Sequence, residues 1–136
     1  PDGRYNILLE GIARVRILEE LESDRPYRVG RAEILPDVHE TRGAVGALLT
    51  TLRGCIVGLR GDYERLAEAL AKALNTVEQP GALSNAIASM LISDPEARQL
   101  LLEEPRVAER LDAIITRLTD LLATTSDSSG GGGWLN

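Results

Sequence analysis

Few side chains in this sequence are equipped for chemistry. It holds one histidine, His39, one cysteine, Cys55, and one lysine, Lys72. No Cys/His metal set can be assembled from single residues of each kind, and a lone cysteine excludes an internal disulfide. His39 has Asp37 and Glu40 nearby, but a nucleophile–base pair also needs a Ser or Cys brought against the ring, and no spacing here does that. It reads as a solvated histidine at a junction between elements. Cys55 falls beside Ile56 on an apolar stripe, where a thiol behaves as a small buried hydrophobe. Lys72 stands between alanines, outside the Gly-Lys-Ser/Thr context of a phosphate-binding loop. Gly130 to Gly133 follow no strand and open no helix, so they belong to a tail. The carboxylate clusters Glu19-Glu20-Glu22 and Glu103-Glu104 read as a solvated strand end and a helix boundary. We expect no catalytic residue, no cofactor and no metal, and no single residue stands out for binding.

The elements that would position any site are plainer. The 136 residues are 43% apolar, which suits one compact domain. Fifteen Lys and Arg face 21 Asp and Glu, for a net charge of −6. That acidic balance, with three Tyr, one Trp and no Phe, provides neither a basic footprint for phosphates nor a stacking platform for bases, so nucleic acid is not an expected partner. No apolar run is long enough to span a bilayer and no charged-then-apolar leader opens the chain. With the free cysteine, these features favour the cytoplasm and no membrane partner.

Periodicity divides the chain near Pro36. From Tyr5 to Ile17 the odd positions read Tyr5, Ile7, Leu9, Gly11, Ala13, Val15 and Ile17, against mostly polar even positions. This period-2 alternation predicts one long strand, Arg4 to Leu21, bent at Gly11. Ser23-Asp24-Arg25-Pro26 is turn chemistry, and a second strand is expected over 27–35, ended by Pro36-Asp37. Beyond Pro36 the period becomes 3.6. Val45, Leu48, Leu49, Leu52, Ile56 and Leu59 stripe a first helix, and Leu66, Leu70, Leu74 and Val77 a second, after a break at Gly61 with Asp62 placed to cap. Pro80-Gly81 is expected to interrupt before a shorter third helix carrying Leu83, Ile87 and Leu91. Ser93-Asp94-Pro95-Glu96 matches a capping box, with Pro95 at the first helical position, opening a fourth helix with Leu100, Leu101 and Leu102. Pro105 restarts the chain into a fifth, striped by Val107, Leu111, Ile114, Leu118 and Leu121. The expected organisation is strands over 1–38, a helical bundle over 39–125 and a flexible Ser/Gly-rich tail over 126–136. Gly43, Gly46, Gly54 and Gly58 weaken the first helix by roughly 1 kcal/mol each against alanine. They suit either close packing against a neighbour or an adjustable surface that binds another chain.

One family has this order of parts. Asp2-Gly3-Arg4-Tyr5-Asn6-Ile7-Leu8-Leu9-Glu10-Gly11-Ile12-Ala13-Arg14-Val15-Arg16-Ile17 resembles the signature stretch of the Lon protease N-terminal, substrate-binding domain. There an apolar strand meets a Gly-x-x-Arg step, here Gly11 to Arg14, before a second apolar run. Arg25-Pro26-Tyr27-Arg28-Val29-Gly30-Arg31-Ala32-Glu33 is similar to the next strand. Arg98-Gln99-Leu100-Leu101-Leu102-Glu103, then Arg106-Val107 and Arg110-Leu111, resembles the family's Lys-Gln-x-Leu-Leu-Glu pattern before an Arg-Leu-rich helix, with Arg98 in place of lysine. The resemblance covers roughly residues 2–122.

The resemblance implies an α+β fold: the antiparallel C-terminal strands of a partial PUA-like β-barrel, followed by a bundle of about five helices. The function it implies is non-enzymatic binding of unfolded or degron-bearing polypeptides. The alternative is a fragment of an ATP-dependent Lon serine protease, with the ATPase and Ser/Lys peptidase domains outside this chain. With neither motif within the 136 residues, the sequence looks like a stand-alone Lon-domain protein or a part of one. A third reading, an RNA-modification accessory module, follows only from the PUA-like fold and is opposed by the acidic balance. Two strands cannot close a barrel. The long strand is therefore expected to have its edge and its odd-numbered face covered, either by the missing N-terminal half of the domain or by a second copy of the chain.

Overall fold

The helical stripes turn inward on one another. In a computed structural model, which describes residues 3, 5–7, 9, 11–59 and 61–129 (backbone alone at 62 and 125–129), the chain forms two strands and then five α-helices. Two compact units follow one another, 1–36 and 37–136, and each is described by itself.

The first unit is an antiparallel ribbon of β1 (Val15–Leu21) and β2 (Val29–Ile34). The strand expected from Arg4 is shorter than its alternation suggested. The described residues from Tyr5 to Arg14 are not strand, because paired partners exist only along β2. Leu35 extends the pairing by one bond, its N–H donating to the Arg14 carbonyl at 2.9 Å. The bend is a β-bulge at Leu18, not at Gly11: Ile17 pairs with Ala32 and Glu19 with Arg31, so two steps on β1 match one on β2. Gly30 makes room for it, since a Cβ there would lie 3.0 Å from the Glu19 carbonyl oxygen.

In the second unit α1 (Arg42–Gly58), α2 (Glu64–Thr76), α3 (Pro80–Leu91), α4 (Pro95–Glu103) and α5 (Val107–Ser129) form the bundle. α5 packs on α1 and α3, and α2 lies against both α1 and α3. The core is drawn from the sequence stripes: Val45, Leu52, Ile56 and Leu59, then Leu70, then Leu83 and Ile87, then Val107, Leu111, Ile114 and Leu118. Burying each of these contributes about 1.5–3 kcal/mol.

Helix starts depart from the sequence reading in three places. Pro80-Gly81 opens α3 rather than interrupting, because proline at the first helical position gives up only an N–H that has no intrahelical partner. α4 is capped by Asp94, whose carboxylate accepts from Ala97 N–H at 2.8 Å, one residue after the Ser93 of the expected box. α2 begins from Tyr63 after a single 3₁₀ turn over Gly61–Tyr63. Gly61, at φ 62°, takes the left-handed conformation that needs glycine. The stretch expected as tail is helical backbone as far as Ser129, and 130–136 lie outside the described residues.

Candidate functional site

The segment leaving the ribbon is stitched to the start of α5. Val38 N–H donates to the Pro105 carbonyl at 2.8 Å, and Val107 N–H to the Val38 carbonyl at 3.0 Å. The Glu40 carboxylate accepts from Ala108 N–H, 68 residues along the chain, at 3.2 Å and so caps α5. Glu104 grips Arg106 in a two-pronged pair, Nε and Nη2 each donating at 2.8 Å, and holds that guanidinium above its ordinary pKa.

Beneath this seam lies Arg110, with a side chain only 2% exposed. Its Nη1 and Nη2 both donate to Asp37 Oδ1 at 3.0 Å, and Nη1 also reaches the Glu104 carbonyl at 3.4 Å. Its Nε is buried with no acceptor among the described residues. Gly81 is where α3 comes closest: a Cβ there would overlap the Asp37 carboxylate and lie 3.2 Å from Arg110 Nη2. Glycine at the head of α3 is therefore required by packing, not by backbone conformation.

Arg110 also lines a cleft of about 190 Å³ between α3, α4 and α5. Ser84, Asn85, Ala88 and Ser89 contribute from α3, and Arg98, Leu101 and Leu102 from α4. Ser84 is buried, its hydroxyl donating to the Gly81 carbonyl at 2.8 Å. Arg98 donates to the carbonyls of Ile92 and Ser89, closing the C-terminal end of α3 as a cation there should. α4 itself buries no residue, and Leu100 and Leu102 stand 69% and 52% exposed.

The ribbon presents a second surface. Facing residues of an antiparallel pair share a side. One side pairs Arg16 with Glu33 and Glu19 with Arg31, with N···O distances of 3.6 and 2.8 Å. The other carries Val15, Ile17, Ala32 and Ile34, with Ile17 74% and Ile34 69% exposed, and beyond the bulge Glu20 opposite Gly30. The bulge sorts them, for in unbroken alternation Glu19, two residues after Ile17, would fall on the apolar side. Nothing among the described residues covers that side, although cover was expected, and each strand of the two-stranded sheet keeps one edge without a strand partner.

His39 is exposed at the junction and Cys55 half-buried against the core. Lys72 lies on α2 and the Glu19 to Glu22 cluster at the end of β1. The structure does not bring these residues together, and among the described residues no group of His, Cys, Asp and Glu could hold a metal. No helix of the described residues is long and apolar enough to cross a membrane. Sequence reasoning missed Arg110, which is half-signalled by its place on an otherwise apolar stripe, one residue before Leu111.

An ion-paired ribbon leads into a helical unit whose seam is tied at Arg106 and Arg110, both on the Arg-Leu-rich stretch that carries the resemblance, and the family comparison agrees. The description "ATP-dependent protease La (LON) substrate-binding domain" matches residues 1–120, and the chain belongs to this family. Among its relatives, Lon protease of Paraburkholderia phytofirmans is 32% identical over 114 residues, covering 84% of this chain and 14% of that protein. Lon protease 2 of Thermus thermophilus is 31% identical over 123 residues, 90% of this chain and 15% of the relative. Lon protease 2 of Herpetosiphon aurantiacus is 34% identical over 119 residues, 82% and 14%. The chain thus spans about one-seventh of the length of these relatives.

Proposed function

We propose that the chain is a non-enzymatic, cytoplasmic binding module that engages unfolded or degron-bearing polypeptides through apolar side chains and main-chain pairing on the ribbon. The observation that carries this reading is the part of the ribbon from Val15 to Glu19 with 31–34: one side is satisfied by the Arg16–Glu33 and Glu19–Arg31 pairs, and the other offers Val15, Ile17 and Ile34 to solvent beside an edge with no strand partner among the described residues. An extended apolar segment can add to such an edge, backbone groups giving affinity and alternate side chains meeting the apolar side. Unfolded polypeptide presents such segments and folded protein hides them. Membership of a substrate-binding family supports the same conclusion.

The second reading, a segment of an ATP-dependent Lon protease, is favoured by the 14–15% coverage of the relatives. In it, the ATPase and peptidase work belongs to other parts of the protein and this chain still supplies recognition. Under either reading, further barrel strands or a second copy would compete with clients for the same face. An array of extended apolar and polar peptides tests the proposal. Apolar peptides should be retained, and Ile17→Asp with Ile34→Asp should abolish retention while the helical signal persists. Equal binding of both sets, or none, overturns it.

A further inference from the structure

We propose that the cleft between α3, α4 and α5 is a binding site for a carboxylate carried on a short aliphatic group, held by one edge of the Arg110 guanidinium. This inference is independent of the ribbon reading. A guanidinium has five N–H donors in a rigid plane. Nη1 uses both of its donors, on Asp37 and the Glu104 carbonyl, and Nη2 uses one on Asp37. The two that remain, Nε–H and the second Nη2 donor, lie side by side on one edge, a spacing that matches the two oxygens of a carboxylate. Nε is buried with no acceptor among the described residues, an arrangement that native interiors seldom tolerate without a ligand or water.

The surroundings specify what carries the carboxylate. Ala88, Leu101 and Leu102 give the cleft an apolar wall. Its volume, about 190 Å³, is below the roughly 300–1,000 Å³ of pockets for drug-sized ligands, so it suits a group of a few carbon atoms. Charge agrees as well. Arg98 and Arg110 both line the cleft, Asp37 supplies one negative charge to Arg110, and the Glu104 carboxylate is engaged by Arg106, so one more anion balances the pair of cations. Since α4 buries none of its own residues, it can shift to admit the ligand without breaking the core. A free aliphatic acid and the C-terminal carboxylate of a polypeptide ending in an aliphatic residue share this chemistry.

The test uses the whole ¹⁵N-labelled chain, following the arginine Nε–H signals and the amides of Ser84 and Ala88. The additions are 4-methylpentanoate, its amide, and a tetrapeptide ending in leucine with a free or an amidated C-terminus. A saturable shift is expected with the acid, binding about tenfold tighter than the amide because the charged acceptor makes the stronger bonds. If the free-acid peptide binds more tightly than 4-methylpentanoate, the source is a chain terminus; if only the small acid binds, the source is a metabolite-sized acid. Ala88→Leu, which fills the cleft and leaves Arg110 and Asp37 in place, should remove the response. No saturable shift with either acid, equal affinity for acid and amide, or a full response in Ala88→Leu overturns the proposal. The acid-to-amide ratio is read on the unsubstituted chain, so the outcome stands even if Ala88→Leu fails to fold.

Discussion

In the bundle, apolar side chains from α1, α2, α3 and α5 close on one another, and Arg110, paired with a partly exposed Asp37, is sunk among them. In the ribbon, no residue of either strand is buried, and the charged pairs lie on the surface. The two regions therefore depend on different things. The bundle completes its own burial, with Leu52, Leu70, Ile87, Leu111, Ile114 and Leu118 all at 0% exposure. The ribbon keeps Ile17 and Ile34 in solvent and rests on backbone pairing and on exposed ion pairs that water and salt screen. An isolated two-stranded ribbon is marginal in water. The lesson is that the unfinished region, rather than the well-packed one, is where association with another chain has most to gain.

The largest effect should come from the buried charge of Arg110 in the bundle. Asp37→Ala strips Arg110 of its carboxylate and leaves a buried cation, at a cost of about 3–5 kcal/mol in denaturant unfolding. The double variant Asp37→Leu with Arg110→Met should recover most of that loss, because it removes the charge with its partner. If the single variant unfolds like the parent, the buried pair does not hold the seam.

Truncation sharpens the contrast. Leu118→Ala should cost about 2–5 kcal/mol, whereas Ile17→Ala, at a position 74% exposed, should stay within about 0.5 kcal/mol. Comparable losses at the two positions would erase the distinction between the regions. A smaller and local effect is expected from Gly30→Val. Its Cβ would press on the Glu19 carbonyl at 3.0 Å, so amide exchange should quicken along β1 and β2 while the bundle's amides keep their protection.

The smallest effect is electrostatic. Arg28 forks Glu20 at 2.7 and 2.6 Å and holds that carboxyl below its ordinary value of 4.5. The folded pKa is lower than the unfolded one, so the contribution is fully present above about pH 4.5 and is lost as pH falls through the folded value. Ribbon amide signals should therefore shift or broaden on acidification below that point, and less so in Glu20→Gln. Identical acid profiles in the two proteins would show that the pair is ornamental.

Much of this was readable beforehand, for a physical reason. A helix buries the residues that recur every three or four positions, so most of the core lies on the stripes of α1, α2, α3 and α5, while Ala73 and Ile115 joined it off those stripes. The ribbon's turn and second strand were readable from Ser23-Asp24-Arg25-Pro26 and the run that follows it. Alternation overstated β1, because period 2 records a strand's preference for having two faces and not whether a partner lies alongside it. Asp94 displaced Ser93 as the cap for a local reason: Pro95 is the first residue of α4, which places the cap immediately before it.

The sequence by itself determined the class of the chain, the number and order of its helices, the lack of a phosphate loop and the family signature. All of these are written in neighbours close along the chain. The tertiary structure alone decided that Arg110 is buried, that Asp37, 73 positions away, is its partner, and that Gly81 must stay small where the two meet α3. It also placed the bulge at Leu18, which turns Glu19 away from the apolar side. Such pairings depend on which distant segments come into register, and no local pattern of residues records that.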